Sequence, residues 1–275
     1  MTCPVEVPVS GVRPGIPVHG GRRKGDERSL APKEHGAYGQ LALPLFVAMV
    51  LGERNLLSWF VAVASVAAFF AHEPLLLVLG QRGKKALRTQ SERARSKLIA
   101  LLVLGVVTLG SAFVWGSWSV RCALGVNLVA ALGALSLIVK RRERSTSGEL
   151  WIAATLPSVV LPIGLLQGLS WRDVFGLHAS FALAFAAGII GVRAVIADFK
   201  SGGRWSGAAA LAVLLGGVCA LGLLSRPAAI GAALYWTAVC VVRVLRPSPR
   251  HLRQVGWTLV GASILQAAWL WGTFA

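Results

Sequence analysis

Residues 98–139 read LIALLVLGVVTLGSAFVWGSWSVRCALGVNLVAALGALSLIV, and this stretch decides the fold class. It holds two apolar runs, 98–114 and 120–139, joined by a short turn, with Arg121 as its single charge. Each run is close to the ~20 apolar residues that a helix needs to cross a hydrocarbon core of about 30 Å. A helix at the surface of a soluble protein keeps a polar face, and neither run has one. In lipid the backbone groups need partners within their own segment, so the runs are helices, and β-barrel alternation is absent.

Working outward, the same signal recurs along the chain. Hydropathy predicts nine spans, at about 36–52, 56–80, 98–114, 120–139, 150–168, 174–197, 207–224, 227–245 and 255–273. The composition agrees: 275 residues, 55% hydrophobic, only 14% charged, with a mean hydropathy of +0.67. Soluble domains carry about 25% charged residues. These figures exclude a soluble globular enzyme, a fibrous protein and a disulfide-stapled secreted domain. The net charge of +17 falls between the apolar runs and makes no continuous basic face, so nucleic acid is not the expected partner. Cys3, Cys122, Cys219 and Cys240 are scattered without CxxC or histidine spacing, which indicates neither zinc nor redox chemistry.

The loops set the expected orientation. With the N-terminus inside, the inner segments hold 24 Lys and Arg, whereas the outer ones hold only Arg54, Arg121, Arg172 and Arg226. This bias predicts an all-α, nine-helix bundle with the N-terminus in the cytoplasm and the C-terminus outside. Residues 1–33 are then a disordered basic cytoplasmic tail without the apolar core of a signal peptide, and 34–275 form the transmembrane domain. The outer loops are too short for an external domain. The inner segment 81–97, QRGKKALRTQSERARSK, is expected to form a short basic surface helix.

Ionisable groups within spans mark candidate sites, because lipid tolerates them poorly. The second span carries Ala71-His72-Glu73-Pro74 about seven residues before its inner end, which at 1.5 Å per residue puts Glu73 roughly 10 Å inside the face. Pro74 is expected to kink or break that helix. The sixth span ends with Arg193, Asp198 and Lys200. Glu34-His35-Gly36 opens the first span. A snorkelling Arg193 and a carboxylate favoured by a helix N-terminus (Glu34, Glu149) are the plain structural explanations for these residues. Asn127 and His178 read as interhelical hydrogen-bond partners. Gly188, Gly191 and the pair Gly216-Gly217 read as close helix packing. Trp59, Trp115, Trp118, Trp171, Trp269 and Trp271 read as an outer interfacial belt. Arg82, Lys84, Lys85, Lys140, Arg141 and Arg142 rim the inner face, a setting for anionic phospholipid headgroups or a lipid phosphate.

Two resemblances follow from these residues. Glu34-His35-Gly36-Ala37-Tyr38 before Pro44, and His72-Glu73-Pro74-Leu75-Leu76 before a basic loop, resemble the YwiC-like bacterial membrane proteins, which implies a bacterial inner membrane. More distantly, the chain resembles the UbiA-type prenyltransferase superfamily, which implies nine helices and an inner-side cavity. That superfamily has aspartate-rich motifs ending its second and sixth helices. Here the first begins at His72 and Glu73 but has Leu76 and Gly80 where aspartates belong, and the second keeps Asp198 with Ala194 in place of its other acid. The resemblance implies a magnesium ion at Glu73 and Asp198. Three functions follow from these readings. The first is a binder of an isoprenoid or lipid phosphate using His72, Glu73, Arg82, Lys140, Arg193, Asp198 and Lys200, with Glu34 and His35 nearby. The second is a magnesium-dependent prenyltransferase, and the third a small-molecule transporter.

Overall fold

Helix overlies every apolar stretch read above in the computed structural model, which describes residues 35–201, 207–245, 247–248 and 251–275, with the backbone alone at 35–37, 84–86 and 201. The order is α1 (His35–Val50), α2 (Leu56–Val78), α3 (Lys84–Trp115), α4 (Trp118–Val139), α5 (Thr146–Thr155), α6 (Val160–Leu166), α7 (Trp171–Ser201), α8 (Ala208–Leu224), α9 (Arg226–Leu245) and α10 (Leu252–Phe274). No strand occurs among the described residues. Among the described residues, six stretches are long and apolar enough to cross a membrane: 56–78, 87–115, 118–139, 146–166, 171–200 and 226–245. The apolar helices Tyr38–Val50 and Ala208–Leu224 are shorter. The protein is a multi-pass helical membrane protein.

Local chemistry explains the helix ends. Asn55 caps α2 by accepting from the Leu57 amide at 2.8 Å, and its side-chain amide donates to the Leu166 carbonyl at 3.1 Å, tying the first turn to α6. Ser145 caps α5 by accepting from Gly148 at 3.1 Å. Gly52 takes φ +75° where the chain turns against Gln167, and the Glu53 amide donates to the Gln167 carbonyl at 3.2 Å.

In the sequence the Pro157/Pro162 pair hints at a broken helix, and the fifth span is two short helices separated by a 3-10 turn at Leu156–Val159, with Pro157 in that turn and Pro162 in the turn after it. Proline lacks the amide that a continuous α-helix needs. Pro74, by contrast, does not break α2, which runs on to Val78 with Pro74, Leu76 and Leu77 buried, so packing offsets the one lost hydrogen bond. The basic segment 81–97 is no separate surface helix either. From Lys84 onward it is the first part of α3, continuous with the third span.

The main core is built by α1, α2, α6, α7 and α10 around Leu51, Val61, Ile163, Leu177, Phe181 and Leu270. Helix α7 is the packing axis, set against α5, α8 and α9. Its glycines permit close approach: a Cβ on Gly188 would collide with the Tyr235 hydroxyl, and one on Gly191 would lie 2.5 Å from Val239 Cγ1. Gly217 meets Leu183 in the same way at 3.0 Å, whereas Gly216 has nothing within 4 Å and is no packing glycine. Consecutive helical residues point about 100° apart, so only one of the pair faces α7. Helix α3 pairs with α2 along its length and little else. Only 6% of its apolar stretch is buried, against 56% in α7.

Candidate functional site

The candidate side chains gather where α2 ends, α4 turns into α5, and α7 and α9 end. The turn after α2 is tied to α4 by the Gln81 side-chain amide, which donates to the Ile138 carbonyl at 2.8 Å. The three residues after Val139 are Lys140, Arg141 and Arg142, all exposed, with Arg141 in the left-handed region at φ 56°. The Arg142 carbonyl then accepts from the Ser145 amide and hydroxyl, closing the turn that starts α5.

Acid–base clasps join these elements. Arg82 grips Glu73 with two parallel bonds, Nε to Oε2 at 3.0 Å and Nη2 to Oε1. His72 donates from Nε2 to Glu143 Oε2 at 3.2 Å, linking α2 to the α4–α5 turn. Arg193 donates from Nε to Glu149 Oε2 and from Nη2 to the Arg144 carbonyl, both at 2.7 Å, joining α7 to the start of α5. Arg243, in the last turn of α9, donates to Asp198 Oδ2 at 2.5 Å. Glu73 and Asp198 are largely buried in their pairs, while Arg193 and Glu149 are each more than a third exposed.

The candidates are therefore divided among separate pairs. Glu73 is held by Arg82 and Arg193 by Glu149, so the two do not share a bond. Lys140 and Lys200 are exposed. Glu34 and the His35 side chain lie outside the described residues, as do the side chains of Lys84 and Lys85. Sequence reasoning missed the partners Glu143 and Arg243. Each left a signal: Glu143 is the one acid in the run Lys140–Arg144, and Arg243 closes a helix at the end that carries Asp198.

Lys97 lies over the Phe70 ring, its Nζ 6.0 Å from the centroid. His72 and Glu73 follow Phe70 along α2, within the apolar stretch 56–78.

This donor set does not fit magnesium. The ion prefers several carboxylate, water and phosphate oxygens in an octahedron. Glu73 and Asp198 are each neutralised by a different arginine, and no group of three His, Cys, Asp or Glu able to hold a metal occurs among the described residues.

Residues 31–163 match the family model described as YwiC-like protein. The matched stretch runs through α1 to the first half of α6 and contains both quoted motifs, while Arg193 and Asp198 lie beyond it. No curated protein and no solved structure matches the chain.

Proposed function

We propose that this protein crosses a bacterial inner membrane nine times on a UbiA-like scaffold, N-terminus inside and C-terminus outside, and that its basic inner end binds the phosphate of an isoprenoid or other lipid without a metal. One observation carries the reading: the acids that a magnesium enzyme would need are bonded to Arg82 and Arg243, within a face where cations outnumber acids. Carboxylates paired in this way no longer repel an incoming phosphate. Exposed Lys140, Arg141, Arg142 and Lys200 supply the charge that draws it in.

The test is binding of a polyprenyl phosphate to the purified protein in nanodiscs, with and without chelator, beside an assay for prenyl transfer from a diphosphate donor. Binding that survives chelator, weakens in Lys140→Gln with Arg142→Gln, and brings no transfer is the expected result. Magnesium-dependent transfer lost in Glu73→Gln would overturn it. A second reading, a small-molecule transporter, has one observation in its favour. The 3-10 turn at Leu156–Val159 interrupts a span, and the buried His178 Nδ1 on α7 has no hydrogen-bond partner among the described residues. Solute flux in proteoliposomes that is abolished by His178→Ala would favour that reading.

A further inference from the structure

The His72–Glu143 clasp differs from the other three in its base. Arginine keeps its charge throughout the range in which proteins fold, so the pairs made by Arg82, Arg193 and Arg243 are permanent ion pairs. Of the four clasps, this one alone has a base that changes charge between about pH 5 and 8. It also reaches into the cations of the proposed phosphate site. Glu143 lies half-buried in the turn 140–144, where Lys140, Arg141, Arg142 and Arg144 are all exposed.

The course of this turn does not depend on the clasp. The Arg141 and Arg142 amides donate to the carbonyls of Ile138 and Leu137 at 2.9 and 2.8 Å, and the Ser145 amide to that of Arg142 at 3.0 Å. Gln81, a neutral side chain, ties Ile138 to the turn after α2. A proton on His72 therefore changes the charge at this place and leaves the path of the chain alone.

Among the described residues, Glu143 is the only acid bonded to His72. The neighbouring Glu73 is held by Arg82. Of the elements packed on α2, α6 and the 3-10 turn carry no ionisable side chain, and Tyr38 is the only ionisable group among the described side chains of α1. Helix α3 brings Lys97 over Phe70, with Arg88, Glu92, Arg93 and Arg95 in its earlier turns. Residues 123–139 of α4 include no ionisable side chain. With His72 protonated, Glu143 is neutralised through a charge-assisted bond, about twice as strong as a neutral one. With His72 neutral, the bond weakens and the carboxylate stands uncompensated among the cations of its own turn. An incoming phosphate then meets one unit less of positive charge.

We propose that His72 and Glu143 form a proton-operated charge switch that sets the phosphate affinity of the turn 140–144. The inference rests on the lipid-phosphate reading and adds its regulation, with tighter binding on the acid side. The expected effect is about fivefold, the worth of one cation facing an anionic lipid.

The experiment uses the full chain in phosphatidylcholine nanodiscs and the methyl ester of a polyprenyl phosphate, a diester whose single charge is constant over the range studied. Binding is measured at about pH 5.5 and about pH 8, on either side of the histidine range. The parent should lose about fivefold in affinity from the lower to the higher pH. His72→Gln should bind equally at both, with the parent's affinity at the higher pH. Glu143→Gln should bind more tightly than the parent at the higher pH, because the uncompensated acid is gone, whereas a purely structural tie would make it weaker. Melting curves in detergent check that both variants fold. The gap in melting temperature between the parent and His72→Gln should narrow from acid to basic pH, as the ion pair becomes a neutral bond. An affinity or a gap that does not change with pH, or a change in affinity that survives in His72→Gln, would overturn the switch and leave the lipid-phosphate reading standing. A parent that binds neither polyprenyl phosphate nor its methyl ester at either pH would overturn that reading and the switch together.

Discussion

Helices α3 and α7 have nearly the same length, 32 and 31 residues, and both carry glycines within an apolar run. They do opposite things with them. In α7, Gly188 and Gly191 are pressed against Tyr235 and Val239 of α9, and Gly176 faces Ser225. In α3, a Cβ on Gly105 or Gly110 would meet nothing within 4 Å. Within lipid no hydrophobic force drives helices together, so close packing of small residues supplies much of the adhesion. The glycines of α7 are contact surface and those of α3 are bare backbone facing outward. Glycine in an apolar helix therefore specifies nothing alone, because the residue opposite decides its role.

The sharpest way to break this comparison is a side chain in α7. Gly191→Leu should overpack the contact with Val239 and cost about 1–3 kcal/mol, read as a lower melting temperature in detergent. If Gly191→Leu melts like the parent, α7 is not the packing axis. The clasps give the next largest effect. Glu73→Gln leaves Arg82 with a neutral partner in a largely buried setting and should cost about 1–2 kcal/mol, less than the figure for fully buried pairs because Arg82 is partly exposed. Gly105→Ala should have the opposite sign, stabilising α3 by up to about 1 kcal/mol through helix propensity, since the new methyl has room. A destabilised Gly105→Ala would mean that something packs on α3. Smallest of all, Glu149→Gln should shift stability by no more than about 0.5 kcal/mol, because both members of that pair are more than a third exposed. Melting curves of the four variants, measured together in one detergent, rank these effects directly.

The positions of the helices were legible because hydropathy is a property of each segment alone. The apolar stretches 98–114 and 120–139 fall within α3 and α4. Gly188, Gly191 and Gly217 were legible as packing positions, while Gly216 was indistinguishable from its neighbour until the facing helix fixed the rotation of α8. The candidate acids were legible too, because charge near a span is rare, but their partners were not. Glu73 is bonded to Arg82, nine residues along the chain, and Asp198 to Arg243 on another helix, and hydropathy carries no information about which helices adjoin.

Helix α1 has a consequence for the order in which the bundle is assembled. It packs chiefly against the α5–α6 region and against α10, which follows roughly 200 residues later. At roughly 5–20 residues per second of synthesis, that delay is about 10 to 40 seconds. The α2–α3 hairpin, whose two arms are neighbours in the chain, has closed long before. Helix α1 thus waits for α10, so a ribosome that stalls before Leu252 releases a chain whose hairpin is formed while one side of α1 still lacks its partner.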